Sequence, residues 1–207
     1  MSVQAPSRAV RAGYALTTFL LVVSIGYSAF LLVDGAVGVA RDGERLVGGR
    51  ALDVHVQVPP ERVQLPDGLR HDGWLPAVAR IEHPGAREVA LSTGLDLTEA
   101  ALFIWVLWLL RGLARSVYEG DPFDAANVQR LRGIGSALVF GGVLVEILNS
   151  SIRAQLWQAL PQDRFGNVAT EGFGLPGNML LAGLGAFILA EVFAHGLRMR
   201  EDLEGTV

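Results

Sequence analysis

Ala15–Val33 reads ALTTFLLVVSIGYSAFLLV, a run of nineteen residues without a charge. A helix needs about 20 mostly apolar residues to cross the hydrocarbon core of a bilayer, so this stretch predicts a transmembrane span. Three further stretches qualify. Ala100–Leu110 (AALFIWVLWLL) is short and draws on Leu95, Leu97 and Leu113 for length, leaving Glu99 and Arg111 near its ends to snorkel toward the interface. A third runs from Gly133 to Ile152 and contains Glu146, and the fourth lies in Gly172–Ala190 and continues past Glu191 to Leu197. A cleaved leader is the other reading of the first stretch, with Arg8 and Arg11 before it and Gly38-Val39-Ala40 after it. A leader's apolar region is about 7–15 residues, so a retained helix is expected.

Composition agrees with this. The chain has 207 residues, of which 51% are hydrophobic and only 18% charged, against about 25% charged in an ordinary soluble domain. A net charge of −4 excludes a strongly basic nucleic-acid binder. Without cysteine there is no disulfide framework, thiolate zinc site or thiol nucleophile. All 17 basic residues are arginine, which removes lysine nucleophiles and Schiff bases.

Arginine near span ends sets the expected direction. Arg8 and Arg11 precede the first span, Arg111, Arg115, Arg130 and Arg132 lie between the second and third, and Arg198 and Arg200 follow the fourth. Only Arg153 and Arg164 lie between the third and fourth. Both termini are therefore expected in the cytoplasm and the protein in a bacterial inner membrane. The expected fold is an all-α membrane protein, a four-transmembrane-helix bundle with a small extracytoplasmic β-rich insertion between helices 1 and 2. In chain order the expected segments are a cytoplasmic N-terminus (1–14), helix 1 (15–35), an extracytoplasmic strand-rich loop (36–94) and helix 2 (95–117). A cytoplasmic loop follows (118–132), then helix 3 (133–152), an extracytoplasmic loop (153–172), helix 4 (173–197) and a cytoplasmic tail (198–207).

In the long first connection Leu52, Val54, Val56 and Val58 alternate with polar residues, the pattern of a half-buried strand. Pro59-Pro60 ends it, and Ala77–Glu82 and Arg87–Ser92 flank the turn-rich His83-Pro84-Gly85-Ala86, which predicts a hairpin. Trp74 and Leu75 offer a dock onto membrane or helices. In the second connection Gly120 is placed to end a helix and Asp124 to cap the next. Val128, Leu131 and Ile134 share a face three residues apart.

This connection carries a resemblance. Gly120-Asp121-Pro122-Phe123, then Asn127, then Arg130-Leu131-Arg132 and Ile134-Gly135, is similar to the domain of unknown function 2975 family of four-span bacterial membrane proteins. The closing segment also resembles that family: Leu189-Ala190-Glu191-Val192-Phe193, Gly196, Arg200-Glu201-Asp202 and Thr206-Val207, with Glu204-Gly205 departing from the more hydrophobic residue expected there. The family supplies no catalytic residues. The resemblance implies an association with a Cro/C1-type helix-turn-helix transcription regulator encoded nearby.

Two residue sets are singled out. Asp121, Pro122, Phe123, Asn127, Arg130 and Arg132 are candidates for binding a cytoplasmic partner, set against a plain capped helix start with interfacial arginines. Asp34, Glu99, Glu146, Asn149 and Glu191 are polar groups in or at the ends of spans, where such groups mark either pathways or pairs. Asp34, Glu99, Glu146 and Asn149 offer oxygen ligands for a cation; the competing reading pairs Glu146 with Arg153, and Glu191 with Arg111, Arg115 or Arg198. His195 follows Glu191 by one turn, and His55, His71 and His83 share no ligand spacing, so no metal and no cofactor is expected. Ser24/Ser28, Ala137/Gly141 and Ala182/Ala186/Ala190 are four-residue small spacings that permit close helix packing, within the bundle or in a homo-oligomer. Gly141-Gly142 and Gly183-x-Gly185 add local flexibility but no chemistry. Gly172–Gly177 fits G-x-G-x-x-G but follows no strand, so dinucleotide binding is not expected. Asn149-Ser150-Ser151 fits a glycosylation acceptor but lies at a span end.

The function expected from all this is non-enzymatic: a sensor or regulatory partner of the helix-turn-helix regulator, embedded in the lipid bilayer and without direct contact to nucleic acid. The alternative is a small ion-coupled transporter or cation sensor using Glu146, Asn149 and Glu191. It is weakened by the absence of an inverted repeat or a pair of broken helices.

Overall fold

The computed structural model describes residues 7–41, 46, 52–58, 75–158, 169–170 and 174–204. Pro59-Pro60, His71, Trp74, Arg164, Gly172-Phe173 and Thr206-Val207 lie outside the described residues, as do the side chains of His55 and Leu75. In chain order the elements are α1 (Arg8–Ala40), β1 (Leu52–Val58), β2 (Leu75–Ile81), α2 (Ala86–Glu119), α3 (Ala125–Ser136), a π-helical turn (Ala137–Gly141), α4 (Gly142–Gln158), β3 (Ala169–Thr170) and α5 (Gly177–Glu204). Four helical rods, Arg8–Ala40, Ala86–Glu119, Ala125–Gln158 and Gly177–Leu203, are long and apolar enough to cross a membrane. Their apolar side chains point outward: Phe19 is 63% exposed, Phe140 70% and Leu181 73%. A water-facing surface so rich in apolar groups is foreign to soluble monomers, and lipid is the solvent that suits it.

The chain forms two compact units. The first comprises Met1–Ser28, Glu99–Leu144 and Pro176–Val207. Its core is built on α3 and α5. Val128, Leu131 and Ile134 are buried together, as their spacing predicts, with Leu102 and Leu107 of α2 and Ala186 and Ala190 of α5. Glycines bring these helices close. A Cβ on Gly135 would stand 3.0 Å from the Phe187 ring, and one on Gly183 would stand 2.7 Å from Val139 Cγ2 and 3.0 Å from the Gly135 carbonyl oxygen. The close-packing stripe on α5 is thus Gly183, Ala186 and Ala190; Ala182 is exposed. Gly183 is a helix-contact residue and not the flexible point expected from sequence.

The third rod is not one uniform α-helix. The amide of Gly142 bonds the carbonyl of Ala137, a five-residue step that widens the turn over Ala137–Gly141. Gly141 and Gly142 follow where α2 and α5 crowd in, with Leu102 Cδ1 2.8 Å and Met179 Sδ 3.0 Å from the positions their Cβ atoms would take.

The second unit comprises Ala29–Thr98 and Val145–Leu175. Gly35 lets α1 lie against α2: a Cβ there would be 2.5 Å from Thr93 Cγ2 and Oγ1. Val89 and Leu156 are its most buried apolar side chains. β1 pairs antiparallel with β2 from Leu52 opposite Ile81 to Val58 opposite Leu75, and β3 pairs antiparallel with the other edge of β1.

This falls short of the β-rich insertion expected between the first two long helices. The predicted hairpin is corrected, because Arg87–Ser92 is helix and His83-Pro84-Gly85 leads from β2 into α2. Ala86, Arg87, Glu88, Ala90 and Leu91 are strong helix formers, and Glu88 lies in the first turn, where its charge complements the helix dipole. The second helix therefore begins at Ala86, within the expected loop of residues 36–94. The strand partner of β1 is β2, and the third strand comes from beyond α4.

Candidate functional site

The turn from α2 into α3 carries most of the singled-out residues. Gly120 ends α2 with φ +89°, a left-handed conformation that favours glycine. The Asp121 amide bonds the Ser116 carbonyl and the Gly120 amide bonds the Val117 carbonyl, the paired bonds of a Schellman termination. Asp124 occupies the N-cap position of α3 in extended conformation, although its side chain makes no cap hydrogen bond.

Asn127 ties the turn together from the inside. It is fully buried. Its Nδ2 donates to Ser116 Oγ at 2.7 Å, to the Pro122 carbonyl at 3.0 Å and to the Asp121 carbonyl at 3.4 Å. Its Oδ1 accepts from Arg130 Nη1 at 2.7 Å. Ser116 in turn donates to the Asp121 carbonyl at 2.6 Å. Buried polar groups need such partners, and here they fix both ends of a helix–helix turn.

The tail of α5 is joined to the same turn. Phe123 meets Phe193 with ring centroids 5.3 Å apart, and its ring edge lies 2.8 Å from where a Cβ on Gly196 would be. Arg200 donates to Asp121 Oδ1 at 2.7 Å, and Arg132 donates to Glu191 Oε1 at 2.8 Å. The two stretches quoted from opposite ends of the sequence are therefore one constellation. Between α3 and α5 it leaves an open cleft of about 400 Å³, lined by Ala125, Val128, Gln129, Arg132, Glu191, Ala194, Leu197 and Arg198.

A scan against protein families matches residues 76–207 to the family described as Protein of unknown function (DUF2975), well over half of the chain. The chain belongs to this family. No curated protein and no solved structure matches it. Every DUF2975 residue quoted from the sequence falls inside the matched segment. Among these, Gly120, Asn127 and Phe123 serve the turn itself, while Asp121, Arg132, Glu191 and Arg200 make its exposed ion pairs. An exposed pair is worth about 0–1 kcal/mol, so Glu191→Gln is expected to shift thermal stability within that range. A loss several times larger would show that the pair does more than decorate the surface.

The span polar groups are each described within their own unit. Glu146 accepts from Arg153 Nη2 at 2.6 Å and from Ser150 Oγ at 3.2 Å, the pairing within its own helix that the sequence allows. Asp34 is buried and accepts the Leu46 amide at 2.8 Å. Asn149 is buried, whereas Glu99 is exposed. Among the described residues no three histidine or carboxylate side chains come together in metal-binding range. Glu191 pairs with Arg132 of α3 and not with Arg111, Arg115 or Arg198, the last of which bonds the Ala194 carbonyl of its own helix. Arg115 instead holds Glu119 one turn along α2 at 2.8 Å. Ser24 and Ser28 bond back to the carbonyls of Leu20 and Ser24.

Sequence reasoning missed Ser116 and quoted Phe193 only as part of the closing segment, without the roles they have as partners of Asn127 and Phe123. Only Asn127 carried a signal: asparagine is a poor helix former whose amide favours local backbone bonds, and it stands in the first turn of a helix.

Proposed function

We propose that this chain is a non-enzymatic, multi-pass protein of the bacterial inner membrane that serves as the regulatory partner of a cytoplasmic helix-turn-helix transcription regulator. The observation that carries this reading is the locked joint of the α2–α3 turn with the tail of α5. The arginines near the span ends support a cytoplasmic side for both. A surface held by Asn127, by Phe123 against Phe193 and by Arg200 against Asp121 is pre-formed, which lowers the ordering cost of binding. The cleft beside it offers apolar walls from Val128 and Leu197 with Arg132, Glu191 and Arg198 at the rim, the mixture from which specific interfaces are made.

The carrier reading has less behind it. Glu146 and Glu191 are each held by an arginine, and a carboxylate kept in an ion pair is a poor shuttle.

Co-purification of the full chain in mild detergent with the regulator encoded beside it tests the proposal. Retention of the regulator, together with altered expression from its target promoters on deletion of this chain, is the expected result. A regulator that never associates, with promoters indifferent to the deletion, sinks the idea.

A further inference from the structure

Arg111 has a different environment from the other span-end arginines. Its Nε donates to Thr18 Oγ1 and its Nη2 to Tyr14 Oη, each at 3.1 Å. Its guanidinium also lies 5.5 Å from the Tyr14 ring centroid, in cation–π range. Tyr14 is also stacked with Tyr118, at 5.7 Å between centroids. All these partners are neutral. Arg111 makes no ion pair among the described residues, and two of the five donors a guanidinium carries are engaged by Thr18 and Tyr14. The carboxylate of Glu119, two turns onward, is held by Arg115. Arg11 and Arg8 stand one and two turns before Tyr14 on α1.

A permanently charged guanidinium between two lipid-length helices requires a counter-charge or water. Arg111 stands eight residues before the end of α2, about 12 Å along the axis. Tyrosine favours the headgroup level of a bilayer, and Tyr14 holds Arg111 at its own level. The flanking side chains are apolar and outward: Leu16 is 57% exposed, Phe19 63% and Trp108 60%. That is surface for acyl chains beside donors for an oxyanion.

We propose that Arg111, with Tyr14 and Thr18, forms a site between α1 and α2 for the phosphate of an anionic phospholipid headgroup. Arginine's planar fork matches phosphate oxygens, and basic pockets between transmembrane helices suit anionic headgroups. The site rests on the chain lying in a bilayer and is independent of the regulatory role.

The test uses the full chain, delipidated in detergent and titrated with phosphatidylglycerol, with phosphatidylcholine of the same chain length, and with inorganic phosphate. Bound lipid is read by native mass spectrometry and the thermal unfolding midpoint is followed in parallel. Phosphatidylglycerol is expected to remain bound and raise the midpoint, while the other two do neither. Arg111→Gln is expected to weaken phosphatidylglycerol binding about fivefold, the worth of one cation at an anionic surface. Arg111→Lys, which keeps charge and loses the fork, is expected to fall between and guards against a folding defect in the glutamine variant. Arg87→Gln makes the same charge change at an exposed arginine in the first turn of α2, which bonds Gln155 Oε1 at 3.3 Å, and is expected to bind as wild type does. Equal binding of phosphatidylglycerol and phosphatidylcholine, unchanged binding by Arg111→Gln, or an equal loss in Arg87→Gln overturns the site. An equal response to inorganic phosphate overturns the lipid assignment.

Discussion

Asn127→Asp is expected to be among the most damaging single-atom changes in this protein. The Nδ2 group donates to three oxygens, Ser116 Oγ and the Asp121 and Pro122 carbonyls, in a fully buried position. Aspartate has the same shape but offers these oxygens a carboxylate oxygen in place of a donor. Rotating the side chain does not help, since both ends are then acceptors, and Arg130 can neutralise only the end it already faces. Asn127→Ala removes the conflict but leaves the Pro122 carbonyl and the Arg130 guanidinium without this partner. Each abandoned buried group costs about 1–3 kcal/mol, so alanine is expected to lower stability by about 3 kcal/mol and aspartate by more. Thermal melting in detergent reads both. In a chain of this size the alanine loss corresponds to about 6–12 °C. An aspartate variant that melts with the wild type would mean that the turn does not depend on this amide. Partner binding offers a second readout: if the joint presents the docking surface, both variants lose the regulator at temperatures where they remain folded.

What the sequence revealed about this turn was what local chemistry decides. Gly120 as the helix stop, Asp124 at the next start, and the shared face of Val128, Leu131 and Ile134 each follow from neighbours within a turn or two, and each is found. The four long helices were equally legible, because hydropathy is summed over a window and tolerates errors at single residues. The start of α2 was not. Arg87–Ser92 is too short for its periodicity to separate helix from strand, and the helix that claims it is continuous with the apolar stretch at Ala100. Partners across helices were also hidden. Glu191 could be seen to need an arginine, but several lay at its expected depth, and only the packing of α3 on α5 selects Arg132. The six residues expected to face a partner had the same limitation. Asn127 was noticed as part of a motif, yet the motif alone does not tell a binding residue from one that holds the binding surface in shape.

Gly183 provides the sharpest contrast between pattern and packing. Gly183 and Gly185 read alike in sequence, two residues apart in one apolar helix. In the structure a Cβ at Gly185 meets nothing within 4 Å, whereas one at Gly183 meets Val139 Cγ2 at 2.7 Å and the Gly135 backbone oxygen at 3.0 Å. A valine methyl on a β-branched side chain has few other rotamers in a helix, and a backbone oxygen cannot turn away. Gly183→Ala therefore forces α5 off α3, with an expected cost of about 1–3 kcal/mol for overpacking, and Gly183→Leu costs more. Gly185→Ala replaces the weaker helix former with the stronger in open space and is expected to be neutral or stabilising by up to about 1 kcal/mol. Melting curves of the two alanine variants, taken side by side, read the difference without reference to any absolute stability. Because the α3–α5 crossing also sets the width of the cleft between Val128 and Leu197, Gly183→Leu is expected to abolish regulator retention while Gly185→Ala preserves it. Equal behaviour of the two variants would show that the helices cross elsewhere.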